Sequence, residues 1–445
     1  MRFRFVVCSC ATLAGSPVFA DESQPLDYSS TALTGNWSGS RDWLRDRGVT
    51  FTLTQESDGL ANVSGGINTG TGYAGAFQLQ GDFDLGRLFG WDGATVHASG
   101  YAVQGQGLGS KVGNLLETSS LEADPGVRLS ELYLSQELSD GKLTFKAGQI
   151  LADQNFAIST NAALFVNSTF GWPGIFANDL PGGGPAYPYA VPAVQAIFKP
   201  NDAWTLQAAI FNGSPTGSDP DGNKNGLGFP LGDGVLAIAE AAYSYTPSKD
   251  SSGLPGIYKI GAWYNSETFD SLLADRSGLS LADPASDGVP ARLSGDYAIY
   301  AIIDQTLWGE HGSSDNGLNG FLRVAVAPQS DRNLTDWYFD SGLTYKGLLP
   351  GRGDDIAGIS YAFAHASSGA RNFAKTENTF GGSVPEPTAE QVIEITYQAA
   401  VTPALSLQPF FQYIIRPGAN AEDPDKPGKT IPNATVVGLR AAATF

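Results

Sequence analysis

The stretch Leu129–Leu151, LSELYLSQELSDGKLTFKAGQIL, decides the fold. Glu131, Tyr133, Ser135 and Glu137 alternate with Leu132 and Leu134. After Ser139-Asp140-Gly141, Lys142, Thr144 and Lys146 alternate with Leu143 and Phe145. Strict period-two alternation on both sides of a three-residue turn marks two antiparallel strands with one wet and one apolar face. The pattern recurs from Val49 onward, where Thr50, Thr52, Thr54 and Glu56 oppose Phe51 and Leu53. It returns in Phe77–Leu85, and again where Glu394, Thr396 and Gln398 oppose Ile393, Ile395 and Tyr397. Applied along the chain, it predicts sixteen strands near 49–64, 73–85, 93–104, 129–138, 142–151, 191–199, 203–213, 233–246, 257–269, 295–309, 317–329, 336–346, 355–365, 391–401, 404–415 and 434–445. Most reach the length of a tilted strand crossing a bilayer, beyond the usual strand of a soluble sheet.

The connections discriminate further. Those after even-numbered strands are mostly short, with Ser139-Asp140-Gly141, Pro200-Asn201-Asp202 and Thr402-Pro403 the tightest. Those after odd-numbered strands are mostly long: 105–128, 152–190, 214–232, 270–294, 366–390 and 416–433, with 65–72 and 330–335 shorter. Short turns at one end and long loops at the other are the layout of an outer-membrane barrel. A soluble, exported β-sandwich that binds glycans remains the rival, although it has no reason to sort loop lengths by parity. The expected fold is all-β: a 16-stranded antiparallel transmembrane β-barrel with a short N-terminal helix and an in-folded constriction loop.

Residues 1–20 read as a signal peptide, with Arg2 and Arg4, an apolar run Phe5–Ala14 and cleavage after Ala20. Both cysteines, Cys8 and Cys10, lie in it, so no disulfide scaffold is expected. Its removal takes two of the 26 basic residues and none of the 45 acidic ones, moving the net charge from −19 to −21. That balance argues against nucleic acid as a partner. Acidic loops suit a solvated outer face, with divalent cations as an open option. No run of eighteen apolar residues follows, so no transmembrane helix is expected. Residues 21–48 form an N-terminal periplasmic segment with a helix near Ser40–Arg47, capped by Ser38 or Ser40 and ended by Gly48. The barrel takes 49–445, and its amphipathic last strand ends on Phe445. A terminal Phe there resembles the signal read by the barrel-assembly machinery of the bacterial cell outer membrane.

The longest connection, 152–190, contains NSTFGWPGIFANDLPGGGPAYPYA, Asn167–Ala190. Its X-Pro pairs at Pro173, Pro185, Pro188 and Pro192 restrict the backbone and make it stiff. A loop that long in an ordered domain is usually functional.

The chain resembles the carbohydrate-selective porins of the OprB type. The resemblance rests on Leu33–Arg41 (LTGNWSGSR), Arg47-Gly48-Val49, Asn167–Pro173 (NSTFGWP), Gly183–Pro188 (GGPAYP) and Ala209–Gly213 (AIFNG), within a match running from about Leu33 to Phe445. Ser38 departs from the glycine that members often carry. The resemblance implies a channel for passive, selective diffusion of monosaccharides such as glucose into the periplasm, working as a monomer. It also implies that the loop between strands five and six folds into the lumen. A non-selective general diffusion porin for small hydrophilic solutes is the alternative. General porins of this strand number often form trimers, and the oligomeric state stays open.

A sugar presents hydroxyls around a partly apolar ring, so its channel wants planar polar groups beside aromatic faces, in few enough contacts to allow release. The loop offers Asp153, Asn155, Asn167, Asn178, Asp179 and Trp172. On the strands, Glu131, Lys146, Lys259, Trp263, Asn265, Arg323 and Arg440 share parity with the polar set. Each has a structural alternative: turn formation for the asparagines, packing for Trp172, and wall ion pairs for the charges. Arg41 is placed to anchor or close the periplasmic end, or simply to meet solvent. An enzyme reading has little to hold. His97, His311 and His365 lack metal spacing and a cysteine partner, no phosphate-loop GKS/T is present, and no cofactor is expected.

Overall fold

The structure is a computed structural model that describes residues 31–216, 223–246, 253–309 and 316–445; the expected signal peptide at 1–20 and most of the expected leader lie outside them. Sixteen antiparallel strands close into one barrel, each hydrogen-bonded to its chain neighbours, with the last strand pairing with the first. They are β1 (Val49–Ser64), β2 (Gly70–Asp84), β3 (Ala94–Gln106), β4 (Gly126–Leu138), β5 (Leu143–Ile150) and β6 (Val191–Asn201). Next come β7 (Trp204–Asn212), β8 (Val235–Tyr245), β9 (Gly256–Asp275), β10 (Pro290–Gly309) and β11 (Gly317–Val326). β12 (Thr335–Lys346), β13 (Ile356–Ala366), β14 (Ala389–Thr402), β15 (Leu405–Ile415) and β16 (Ala434–Thr444) complete the circuit. Closure removes both sheet edges, so every ladder group of the wall finds a partner.

The register carries the alternation around the circle. Glu56 lies opposite Ala76, Asp58 opposite Arg440, Gln195 opposite Lys146, and Arg323 opposite Asp340; all are buried on the inner side. Val194, Ile210, Ile260, Ile299, Ile359 and Leu439 occupy the other parity and are exposed, as a lipid-facing wall requires. The alternation of short turns and long loops holds, and β9 and β10 rise 20 residues each, well past their expected ends. Alternation continues there above the bilayer, where only loop composition had been legible.

The N-terminal helix is Ser40–Arg45, preceded by a 3-10 turn at Trp37–Gly39. Neither Ser38 nor Ser40 caps it: Gly39 is the N-cap, at φ 89°, and the first-turn N–H of Asp42 donates instead to Asn36 Oδ1 at 3.2 Å. Gly48, at φ 87°, ends the turn as its lack of a side chain allows. The segment fastens to the closing strand. Leu33 N–H donates to Thr444 at 2.8 Å, and the Arg41 guanidinium, stacked on Trp37 at 4.1 Å, donates to the carbonyl of Phe445. A twelve-residue helix, Ser368–Thr379, capped by the Ser367 hydroxyl, occupies a stretch expected to be loop.

Candidate pore constriction

The 151–190 loop is built inward from its root. A bulge in β4 places Ser130 and Glu131 opposite Ser99 alone, and Glu131 accepts the N–H of Leu151 at 3.1 Å. Asn155 then ties the first turn of the loop to the wall: it donates to Leu151 O at 2.7 Å, and Lys146 Nζ donates to its Oδ1 at 3.1 Å. From there the loop crosses the lumen, docking on successive strands by charge-assisted bonds. Ala157 N–H donates to Glu240 on β8 at 2.9 Å, and Ser159 Oγ and Asn161 N–H donate to Asp304 on β10 at 2.6 and 3.1 Å. Val166 and Asn167 N–H donate to Glu394 on β14 at 2.7 and 2.9 Å, and Gln408 on β15 donates to Leu164 O at 2.7 Å.

Arg323 is the principal clamp. It is fully buried on β11, pairs with Asp340, and donates to the carbonyls of Ala157, Gly171 and Thr169 at 2.8, 2.8 and 2.6 Å. Under the loop, Trp172 packs on Phe176, which meets Trp263 at 5.9 Å and Tyr300 at 5.5 Å, edge to face. Trp172 Nε1 donates to Gly183 O at 3.0 Å.

A second loop, 107–125, also folds inward. Leu115 and Leu116 N–H donate to Glu390 at 2.7 and 2.8 Å, and Ser119 Oγ donates to Asp58 at 2.6 Å. Arg440 spans both carboxylate oxygens of Asp58 at 2.7 Å and reaches Ser120 Oγ at 3.0 Å. The two loops bond each other, Ser120 N–H to Val166 O at 2.9 Å and Ser168 N–H to Glu117 O at 3.0 Å. Burial and the neighbouring carboxylates Glu122 and Glu390 push the Glu117 carboxyl up to about 8.

The lumen wall from β1 to β7 carries a second set of inward groups, and Glu56, Asp58, Tyr101 and Arg128 are buried there as well. There Tyr187 from the long loop meets Tyr101 of β3 edge to face at 5.0 Å, and Arg128 of β4 lies over the Tyr189 ring at 4.4 Å. Asp153 Oδ2 accepts the N–H of Tyr187 at 2.7 Å. Arg128 Nη2 donates to Asp124 O at 3.0 Å, whereas its Nε and Nη1, and Oε2 of Glu56, are buried without a hydrogen-bond partner. On the adjoining β1, Glu56 Oε2 lies 3.8 Å from Arg440 Nη1, beside the Asp58–Arg440 pair. Below, His97 bonds Asp82 at 2.7 Å and stacks on Tyr133 at 5.0 Å, with Lys146 Nζ 5.1 Å from the Tyr133 ring.

A sixteen-stranded barrel narrowed by inward loops has the architecture of a porin. The family model for carbohydrate-selective porins of the OprB family matches residues 68–445. The chain belongs to that family. It is 24% identical to Porin B of Pseudomonas aeruginosa over 456 residues, covering 96% of this chain and 94% of that one. It is 22% identical to the putative porin QuiX of Acinetobacter baylyi, with 100% and 99% covered. The solved high-pH structure of OprB from Pseudomonas putida superposes with a TM-score of 0.83 at 24% identity, covering 95% of this chain and all of that one. This porin is therefore a channel of the bacterial outer membrane, in a family that is not enzymatic. Its long loops face outward from the cell and its short turns face the periplasm.

Its candidate residues separate by depth of burial. Asn167, Asn265, Arg323 and Arg440 are almost wholly covered and spend their polar atoms on protein groups; Trp172 and Trp263 are packed in the aromatic cluster beneath the loop. In this structure these six face protein groups rather than open lumen. Asn178 and Asp179 meet Thr335 at 3.4 and 3.2 Å and pin the far turn. Asp153, Asn155, Glu131 and Lys146 gather at the loop root beside the wall of β1 to β7, and Lys259 Nζ donates to Ile158 O at 2.8 Å. Sequence reasoning passed over Glu56, Tyr101, Arg128 and Tyr187 as solute groups. Glu56 carried the parity signal. Arg128 lay one residue outside the expected strand, because β4 begins at Gly126.

Proposed function

We propose that this porin passes monosaccharides such as glucose by passive, selective diffusion, with solute contact between Arg128, Glu56 and the Tyr187 ring. The observation that carries the reading is the pair of buried Arg128 donors without a hydrogen bond, beside the half-buried Tyr187 ring and near the Glu56 carboxylate, whose Oε2 lies 3.8 Å from Arg440 Nη1. A guanidinium donor pair and a carboxylate acceptor match vicinal hydroxyls, and a tyrosine face matches the apolar side of a sugar ring. Asp153, Asn155, Glu131 and Lys146 then form the polar way out toward the periplasm. Their charges keep that passage wet and let small ions accompany the solute.

Export by the signal peptide at 1–20, insertion by the barrel-assembly machinery through Phe445 and a lipid-embedded wall complete the reading. It is supported by the lipid-facing parity of the strands and by the place of Phe445 after the closing strand. In planar bilayers, millimolar glucose reduces ion current through the wild-type channel, and Arg128→Leu abolishes the block. In liposome swelling, glucose enters faster than disaccharides. Absence of block by any of a panel of sugars would leave a general diffusion porin and end the selective reading.

A further inference from the structure

The described part of the connection between β7 and β8, residues 213–216 and 223–234, does not stand up from the rim. Its residues 223–226 reach sideways to β4 and β5: Leu129 N–H donates to Asn225 O at 3.0 Å, and Gln149 Nε2 donates to Gly226 O at 3.0 Å. Gln149 pairs with Leu132 and Pro192 in the register and shares parity with the exposed Phe145, so it belongs to the lipid-facing set. Yet it is fully buried, because the connection covers it. Asn212 shares parity with the exposed Ile210 and is likewise covered, donating to Ser214 O at 2.7 Å and Asp233 at 3.2 Å. The connection is a strap across the outer wall just below the rim.

The strap turns an apolar face away from the barrel. Residues 226–232 read Gly-Leu-Gly-Phe-Pro-Leu-Gly, without a charge. Leu227 is 59% exposed and Leu231 82% exposed, with Phe229 between them. They continue the exposed strand residues Val194, Ile210 and Val235. Irregular backbone is tolerated near lipid only where its polar groups are satisfied. Here Leu227 and Gly228 N–H donate to the side chains of Asn225 and Asn223 at 3.0 and 2.8 Å, and Gly226 N–H donates to Asn223 O at 3.1 Å, which accounts for the amides of 226–228; those of 229–232 need the water of the headgroup boundary.

We propose that this strap is an interfacial anchor whose Leu227, Phe229 and Leu231 lie among the outer-leaflet acyl chains at their boundary with the headgroups. An exposed apolar patch on a soluble surface would be a liability; continuous with a lipid-facing wall, it extends that wall. The anchor also steadies the constriction, since Gln149 immediately precedes the root of the 151–190 loop and bonds Ser130 O at 2.6 Å.

The described residues contain no cysteine, so single labelling sites are clean. Leu231→Cys, with Leu227→Cys as an independent second site, is labelled with bimane in the channel without residues 1–20, which removes Cys8 and Cys10. The protein is reconstituted in phosphatidylcholine vesicles doped with nitroxide-bearing lipid. Val194→Cys serves as the lipid reference and Ser383→Cys as the water reference, and unheated gel migration checks the fold of each variant. The anchor predicts that lipid nitroxide removes as much fluorescence at 231 and 227 as at 194, while aqueous iodide removes little. Iodide quenching equal to that at 383 would overturn it and leave a loop free in water. Protection from both quenchers would also overturn it and identify a protein surface, such as a second copy, as the occupant.

Discussion

Arg323→Ala separates the wall from the constriction. The arginine is fully buried, pairs with an equally buried Asp340, and holds three loop carbonyls. Breaking a buried pair by deleting one partner costs about 3–5 kcal/mol, because the remaining charge is stranded. Each abandoned carbonyl adds on the order of 1–3 kcal/mol if it stays dry. Lumen water can recover the carbonyls only if the loop moves to admit it, so displacement is the cheaper response. The ladder of sixteen strands does not depend on Arg323, and the barrel should persist. Single-channel conductance should rise, and liposome swelling should lose its preference for glucose over a disaccharide, while unheated gel migration stays that of a folded barrel. Arg323→Ala combined with Asp340→Asn should regain thermal stability by removing the stranded charge, yet keep the raised conductance, since the carbonyls remain unheld. Unchanged conductance and swelling selectivity in the single variant, with the barrel folded, would refute the clamp.

Glu117 gives a pH dependence with a defined sign. Its carboxyl is raised to about 8, so the folded loop binds more protons than the unfolded chain above the usual carboxylate range. The contribution is intact below pH 4.5 and is lost as pH rises from there to about 8, so opening of the 107–125 loop, read from hydrogen-exchange free energies, should become easier over that window; Glu117→Gln should flatten the curve. Trp263→Ala removes a ring that braces Phe176 and should cost roughly 3–5 kcal/mol by thermal unfolding, with weaker sugar discrimination as the loop loosens. Arg41→Ala loses the bond to the Phe445 carbonyl and should lower barrel stability by about 1.5–3 kcal/mol, without altering glucose block.

The barrel was legible because its signal is repetitive. Period two, loop-length parity and an even count are each read many times over, and an error at one strand end, as at β9 or β10, leaves the topology intact. The inward course of the 151–190 loop was legible from its place in the order. That of the 107–125 loop was not, because what draws it in is Glu390, Asp58 and Arg440 on distant strands. Burial of a lumen side chain is set by whichever loop lies over it, and that is a long-range fact.

The same cause explains the division among the candidate residues. Parity could place Arg323, Arg440, Asn265 and Trp263 on the inner face, but inner faces in this barrel are of two kinds. From β8 around to β14, Glu240, Asp304 and Glu394 accept loop amides and Arg323 grips loop carbonyls. From β1 to β7, Asp58 and Glu131 also accept loop groups, but Arg128 Nε and Nη1 make no hydrogen bond. A charged lumen side chain is thus informative about solute only after its existing bonds are counted. Counting them moves the proposed contact from the conspicuous arginines of β11 and β16 to one at the foot of the second inward loop. It also makes the anchoring set testable apart from the solute set: variants of the first should change conductance, and variants of the second should change block by sugar at unchanged loop position.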